Sequence, residues 1–291
     1  GPRYAGPKSR DDADAFGCVK RAVSYGAGRY DEVVVSPLAR FTSVNEIAAN
    51  YRWPRVEDYD FSGIGERVAR AGDRPVQVTV SGNYTLYTSL RGMEQAFEDF
   101  ALNPEVVEYV LDRAYDLSAR LAERVFAEAG DRVDFAWIFN DLGAQDDLLC
   151  SPETVRRLFL PGIRKMAELA HAHGAVACLH SDGAIRRVLP DLIDVGIEVV
   201  NPVQWRCRGM GREELKRDFG HQVAFHGAMD NQETLVRGDG EAVRQEVRDN
   251  IDILGAGGGY ILAPCHNLQV VTPPEWVVAM YEEAREYGRT V

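Results

Sequence analysis

The chain predicts an α/β fold built on parallel strands, and three observations carry that expectation. From residue 75 onward, short apolar runs alternate with longer amphipathic stretches, the rhythm of successive strand–helix units. The short runs are apolar at nearly every position rather than at every second one, as parallel strands buried on both faces require. The runs also end in residues capable of chemistry: Ser81 and Asn83; Asn140 and Asp141; His180 and Asp182; Asn201 and Gln204; His226 and Asp230; Cys265 and His266. A doubly wound sheet gathers its site at one switch point. Polar residues at the carboxyl end of nearly every strand instead mark the active face of a TIM (β/α)8 barrel. The barrel is the expected fold.

In chain order, residues 1–60 read as a hairpin over "FGCVKRAVSYGAGRYDEVVVSPL" and a short helix opened by a capping box of Ser43 and Glu46. They do not supply two clear βα units. The barrel is therefore expected either to lack an N-terminal stretch, with its first strand, or to be irregular. "VQVTV" (76–80) is a strand followed by a helical pattern over 89–100, and Pro104 opens a long helix over 104–129. "DFAWIF" (134–139) precedes a helix with Ser151 as N-cap and Pro152 and Glu153 in its first turn. "AVACLH" (175–180) leads to a helix over 185–195, and "IEVVN" (197–201) to one over 212–219. "QVAFH" (222–226) precedes a helix from about 241, and "GYILA" (259–263) one opened by Thr272, Pro273, Pro274 and Glu275. We expect one domain over 1–291, irregular over 1–60 and regular over 75–288.

Apolar residues make up 45% of the chain and charged residues 27%, as in ordinary globular proteins. A net charge of −12 argues against nucleic acid, which selects a basic face, but leaves room for an anionic small-molecule substrate held by local arginines. No apolar stretch approaches the roughly 18 residues that span a bilayer, and the first residues lack the pattern of a secretory signal. Five irregularly spaced cysteines (18, 150, 178, 207 and 265) fit a reducing cytoplasm better than a disulfide framework.

Several segments, in order, resemble the uroporphyrinogen decarboxylase superfamily. They include "PLARFTSVNEIAANYRWPRVEDYDFSG", "SGNYTLYTSLRGMEQAFEDFALNPEVV" and "NDLGAQDDLLCSPETVRRLFLPGIRKM". "HSDGAIRRVLPDLIDVGIEVVNPVQ", "FHGAMDNQETLVRGDGEAVRQEV" and "GGGYILAPCHNLQVVTPPEW" complete the set. The resemblance implies a distorted TIM barrel. It also implies one of two activities: decarboxylation of a tetrapyrrole precursor, a lyase reaction, or zinc-dependent methyl transfer between a corrinoid protein and a thiol or other acceptor. The decarboxylases carry an arginine-rich N-terminal motif that this chain does not show. The methyltransferases bind zinc through a His-x-Cys pair and a distant cysteine. Here the pair reads His180-Ser181-Asp182, with aspartate in place of cysteine, and Cys265 matches the distant ligand.

His180 and Asp182 are two apart at a strand end, so their side chains can point to the same side. With Cys265 they offer imidazole, carboxylate and thiolate, three ligands with an open fourth position as in catalytic zinc sites. The competing reading pairs His180 with Asp182 and buries Cys265 as a small apolar group. Asp141, with Asn140 and Gln145, follows a strand and could orient substrate, a corrinoid tail or the metal shell, or act as a base; such residues also cap loops. His266 is the candidate general acid, and His226 with Asp230 a second proton donor and carboxylate at the rim. Tyr84, Tyr87, Gln204 and Arg91 are candidate substrate contacts, as are Arg206 and Arg208. "GAGGG" (255–259) lacks the lysine and serine or threonine of a phosphate loop, so Gly255 reads as the C′ residue closing a helix before the next strand. His171 and His173 read as a charged helix end.

Three functions follow. The first is zinc-dependent methyl transfer by His180, Asp182 and Cys265, with the methyl donor on a corrinoid partner or a methylated small molecule. The second is metal-free decarboxylation around Asp141 and His266. The third is non-catalytic capture of a corrinoid or tetrapyrrole. The oligomeric state is left open.

Overall fold

The structure, a computed structural model, describes residues 1–26 and 28–289; the side chain of Ser81 lies outside what it describes. The chain divides into two compact units, Gly1–Asn140 with Cys150–Ala177, and Asp141–Leu149 with Cys178–Val291.

The first unit opens with β1 (Arg3–Tyr4) and an antiparallel hairpin of β2 (Val19–Ser24) and β3 (Arg29–Val35). In α1 (Val44–Asn50), Ser43 accepts from the Glu46 amide. The Glu46 carboxylate reaches one residue further back than a capping box needs, to the Thr42 amide at 2.7 Å. Next come β4 (Tyr59–Asp60), paired antiparallel with β1, and α2 (Ile64–Ala71). β5 (Gln77–Gly82) then begins the parallel sheet.

Where the sequence predicts one helix over 89–100, the structure has two, α3 (Asn83–Arg91) and α4 (Met93–Leu102). Gly92 separates them at φ +85°, a left-handed conformation that glycine adopts without steric cost. Asn83, expected just past the strand, is the first residue of α3. The long helix α5 (Pro104–Ala129) has the expected bounds, with proline at its start. β6 (Phe135–Phe139) pairs parallel with β5. Ser151 caps α6 (Pro152–Thr154), which runs through a π-turn into α7 (Leu160–Ala172). Gly162 in α7 lies against Tyr115 of α5 so closely that a Cβ there would fall 1.9 Å from the ring.

β7 (Val176–His180) starts in the first unit, where the Val176 amide donates to Asp134 O, and ends in the second. The second unit continues with α8 (Leu189–Asp194), β8 (Val199–Val203), α9 (Arg212–Phe219) and β9 (Ala224–Met229). It finishes with α10 (Thr234–Arg237), α11 (Gly240–Leu254), β10 (Tyr260–Pro264) and α12 (Pro274–Tyr287). The six strands β5 to β10 lie in chain order, and every intervening segment carries helix, as parallel neighbours require. Strand β8 runs through a cis Asn201–Pro202 bond, two residues beyond the expected strand end. Gly255 closes α11 at φ −79°, and positive φ falls on Gly257, Gly258 and Gly259, which turn the chain into β10. The core of this unit packs Val243 and Val247 of α11 and Met280 of α12 against Met229.

Arg91 has a structural task in the first unit. Only 3% exposed, it grips both oxygens of Asp99 and donates to the carbonyls of Leu38 and Phe41. Tyr87, Gln95 and Asn103 complete the shell around the Asp99 carboxylate. Burial raises the Asp99 pKa, but the hydrogen bonds from Arg91, Tyr87, Asn103 and Gln95 outweigh it and hold the group below the usual carboxylate range. Tyr84 packs against Phe100 and Phe159 in an aromatic cluster. These placements correct the expectation that Arg91 and Tyr84 face substrate.

Arg91→Met leaves Asp99 buried without its counter-ion and is expected to cost about 3–5 kcal/mol, read as a lowered urea midpoint. Because the Asp99 pKa is depressed by folding, its stabilisation is present above the unfolded value of about 3.9 and is lost as pH falls through the folded value. Urea unfolding from pH 5 towards pH 2 should show a steeper loss for the natural chain than for Asp99→Asn.

Candidate active site

Two loops of the second unit build the site, one after β6 (141–149) and one after β7 (181–185). They touch backbone to backbone at two glycines. A Cβ on Gly143 would fall 2.7 Å from both Ala184 N and Asp182 O, and one on Gly183 would fall 2.4 Å from the Gly143 carbonyl carbon. Gly183 also has φ +83°. The Ala184 amide donates to Ala144 O at 2.8 Å, and the Leu142 amide to Ser181 Oγ at 2.9 Å. The fully buried serine of "HSDG" is therefore a clasp, and this contact sets Asp141 beside His180 and Asp182.

The donor atoms of Asp141, His180 and Asp182 lie within 4.8 Å of one another. His180 Nε2 is 3.6 Å from Asp141 Oδ1, and the Asp182 amide points at the same oxygen from 3.4 Å. Behind the imidazole, Asn201 links two histidines. Its Nδ2 donates to His226 Nδ1 at 2.6 Å, and its Oδ1 accepts from His180 Nδ1 at 2.7 Å. The bond from Nδ1 to Asn201 turns Nε2 of His180 towards the two carboxylates, as the outer partners of metal-bound histidines do. Burial, and then the neighbouring His180, lowers the His226 pKa below the usual imidazole range.

Burial raises the Asp182 pKa, and the Asp141 charge adds to it, opposed by His180 and His266. Asp182 Oδ1 is buried without a hydrogen-bond partner. Two close carboxylates, one with an unsatisfied buried oxygen, repel each other until a cation or proton intervenes. Two oxygens and one imidazole nitrogen fit a divalent cation, zinc included, and form a harder set than a thiolate-rich one.

The structure does not bring Cys265 into this group. Its thiol is buried, donates to Val203 O at 3.1 Å, and is held well above its ordinary pKa by burial and then by Asp230 and Glu246. His266 is exposed, with Nε2 3.8 Å from Asp182 Oδ2. Gln204 Oε1 accepts from the Gly183 amide, and Gln145 Oε1 accepts from Cys207 Sγ at 3.4 Å. Asp230 is committed elsewhere: it takes the Arg206 guanidinium and the amides of Gln232, Glu233 and Thr234. In the first unit, Asn140 is fully buried and accepts from the Tyr84 amide and Tyr115 hydroxyl. Sequence reasoning counted Asn201 among the chemically capable strand ends without giving it a partner, and gave Ser181 and Cys207 no role. A polar residue inside an apolar strand was the available signal for Asn201.

A family model described as uroporphyrinogen decarboxylase (URO-D) matches residues 61–287. The chain belongs to the URO-D family. A solved methyltransferase from Methanosarcina mazei is similar over 97% of this chain and 80% of its own, with TM-score 0.68 and 21% identity. That likeness extends the URO-D barrel fold to nearly the whole chain. A dihydropteroate synthase from Anaplasma phagocytophilum is more distant, at TM-score 0.42 and 13% identity over 74% of each chain. A Sinorhizobium meliloti protein has TM-score 0.40 and 16% identity over 84% of this chain and 86% of its own. No curated protein matches. The URO-D chain thus shows the expected family and α/β barrel fold, and among its described residues no helix is long and apolar enough to cross a membrane.

Gly183→Ala is expected to cost about 2–5 kcal/mol through backbone strain and overpacking together. Thermal unfolding would show the loss, whereas Gly174→Ala, also left-handed but with open space around it, should lose less.

Proposed function

We propose that this URO-D family chain is a divalent-cation-dependent enzyme of the methyltransferase kind, with Asp141, His180 and Asp182 as the metal-holding residues. The observation that carries this reading is the convergence of those three donors around a buried, unpartnered carboxylate oxygen. Bound there, zinc or a similar ion would lower the pKa of an acceptor thiol and hold it as an anion able to attack a methyl group.

The chain's own residues prepare that site. Asn201 orients the His180 lone pair, and the Gly143–Gly183 contact holds the carboxylates together. In this reading His266, exposed beside Asp182, takes up the acceptor's proton. Gln145 and Gln204 position the small-molecule substrate, and His226 holds the Asn201 side chain that orients His180. The methyl donor is a corrinoid on a partner protein or a methylated small molecule, and the setting is the cytoplasm, a reading supported by five free cysteines. Cys265, the expected third ligand, is replaced in this reading by Asp141.

Metal analysis by plasma mass spectrometry on protein expressed with zinc and manganese tests the reading. The natural chain and Cys265→Ala should carry near-stoichiometric metal, while Asp141→Asn and His180→Ala should lose most of it. Asn201→Ala should weaken metal affinity by about 10- to 100-fold. Metal-free natural protein would sink the proposal and move the assignment to decarboxylation by Asp141 and His266. That second reading draws support from the partial exposure of both side chains.

A further inference from the structure

The first unit holds a cavity of about 380 Å³ between the 51–57 turn and one face of α5. Arg52 and Arg55 come from the turn, and Arg113 and Arg120 from α5, where Asp116 and Leu117 lie between them. A seven-residue separation places the two helix arginines on one face. The floor is apolar and aromatic: Trp53 meets Tyr51 edge-on at 5.0 Å, and Val56 and Leu117 flank them.

The charges are unbalanced. Asp58 is engaged by Arg52 at 3.1 Å, while Asp116 is shared between Arg120 at 3.8 Å and Lys165 at 3.6 Å. With Asp58 set against Arg52, Asp116 against Arg120 and Glu57 against one of Arg55 and Arg113, one positive charge remains in excess at the cavity, in a chain whose net charge is −12. Among the described residues, no ion pair engages Arg55, and Arg113 is held over the Tyr109 ring at 5.4 Å. The indole Nε1 of Trp53 is buried with no acceptor. Guanidinium groups gathered around a hollow repel one another unless an anion joins them, and their planar forks match phosphate oxygens.

We propose that this cavity is a binding site for a small phosphate monoester with a flat apolar group. The phosphate, at nearly two negative charges, pairs with the guanidinium groups of Arg55 and Arg113. The ring lies on the floor of Tyr51, Trp53 and Leu117, in a volume at the small end of the range for ligand pockets. The site is independent of the metal-holding residues and of the reaction assigned to them.

Isothermal titration of the full chain at fixed ionic strength tests the site with phenyl phosphate, inorganic phosphate, phenol and benzoate. Phenyl phosphate should bind at least tenfold more tightly than the other three, and more weakly as sodium chloride is raised. Arg55→Gln with Arg113→Gln should weaken it at least tenfold at an unchanged thermal midpoint, since both side chains are exposed. Ligand-induced change in tryptophan emission should disappear in Trp53→Phe. Absence of phenyl phosphate binding, equal binding of benzoate or phenol, or unchanged affinity in the double variant would each overturn the proposal.

Discussion

The approach of two backbones at Gly143 and Gly183 is the constraint on which the candidate site depends. Side chains at either position would overlap the opposing main chain, so only the smallest residue permits the loops after β6 and β7 to meet. Once they meet, Asp141 has no freedom to avoid Asp182, and the Ser181 hydroxyl locks the arrangement by accepting from Leu142. The fold spends backbone packing to hold two like charges together, which gives no stability by itself. Such an arrangement acquires a physical purpose when something positive enters it.

Two electrostatic clusters, one buried and one half-buried, show the contrast. Around Asp99, Arg91 supplies the opposite charge and Tyr87, Gln95 and Asn103 fill the remaining lone pairs. That network is complete within the chain and rigidifies the junction of the N-terminal segment with α3 and α4. Around Asp182, the imidazole is held by Asn201 and one carboxylate oxygen is left buried without a partner. Complete networks specify structure, and incomplete ones point to a ligand.

Replacing a thiolate by a carboxylate at position 182 changes the chemistry available to a bound ion. Carboxylates are harder donors and neutralise less of the metal's charge by covalency than sulfur does. Under the proposed function, the ion at Asp141, His180 and Asp182 would polarise an acceptor more strongly than a thiolate-rich site does. Cys265 and Cys207, both buried and with pKa values raised first by burial, stay neutral thiols in the surrounding wall. This donor exchange separates the chain from the ligand pattern that its sequence resemblance implies.

Much of the fold was legible in the sequence because its causes are local. Ser151 caps a helix where expected, Pro104 opens α5, and the apolar runs ending at His180 and Cys265 are strands. The break at Gly92 was harder to read, since a helical pattern runs through it and only backbone φ distinguishes one helix from two. The chemistry-bearing strand ends were legible as a set, and so was the pairing of His180 with Asp182, two residues apart. What the sequence left open was which member of the set joins them. Cys265 matched by family pattern, yet Asp141 is the residue at hand. Proximity across separate loops depends on glycine contacts and strand neighbours, which no single segment encodes. Likewise, nothing local distinguishes a substrate-binding arginine from Arg91, whose buried partner Asp99 is supplied by the next helix. The sequence by itself determined the elements and their polar ends; the tertiary structure decided which of those ends meet, because that choice is made through space by packing.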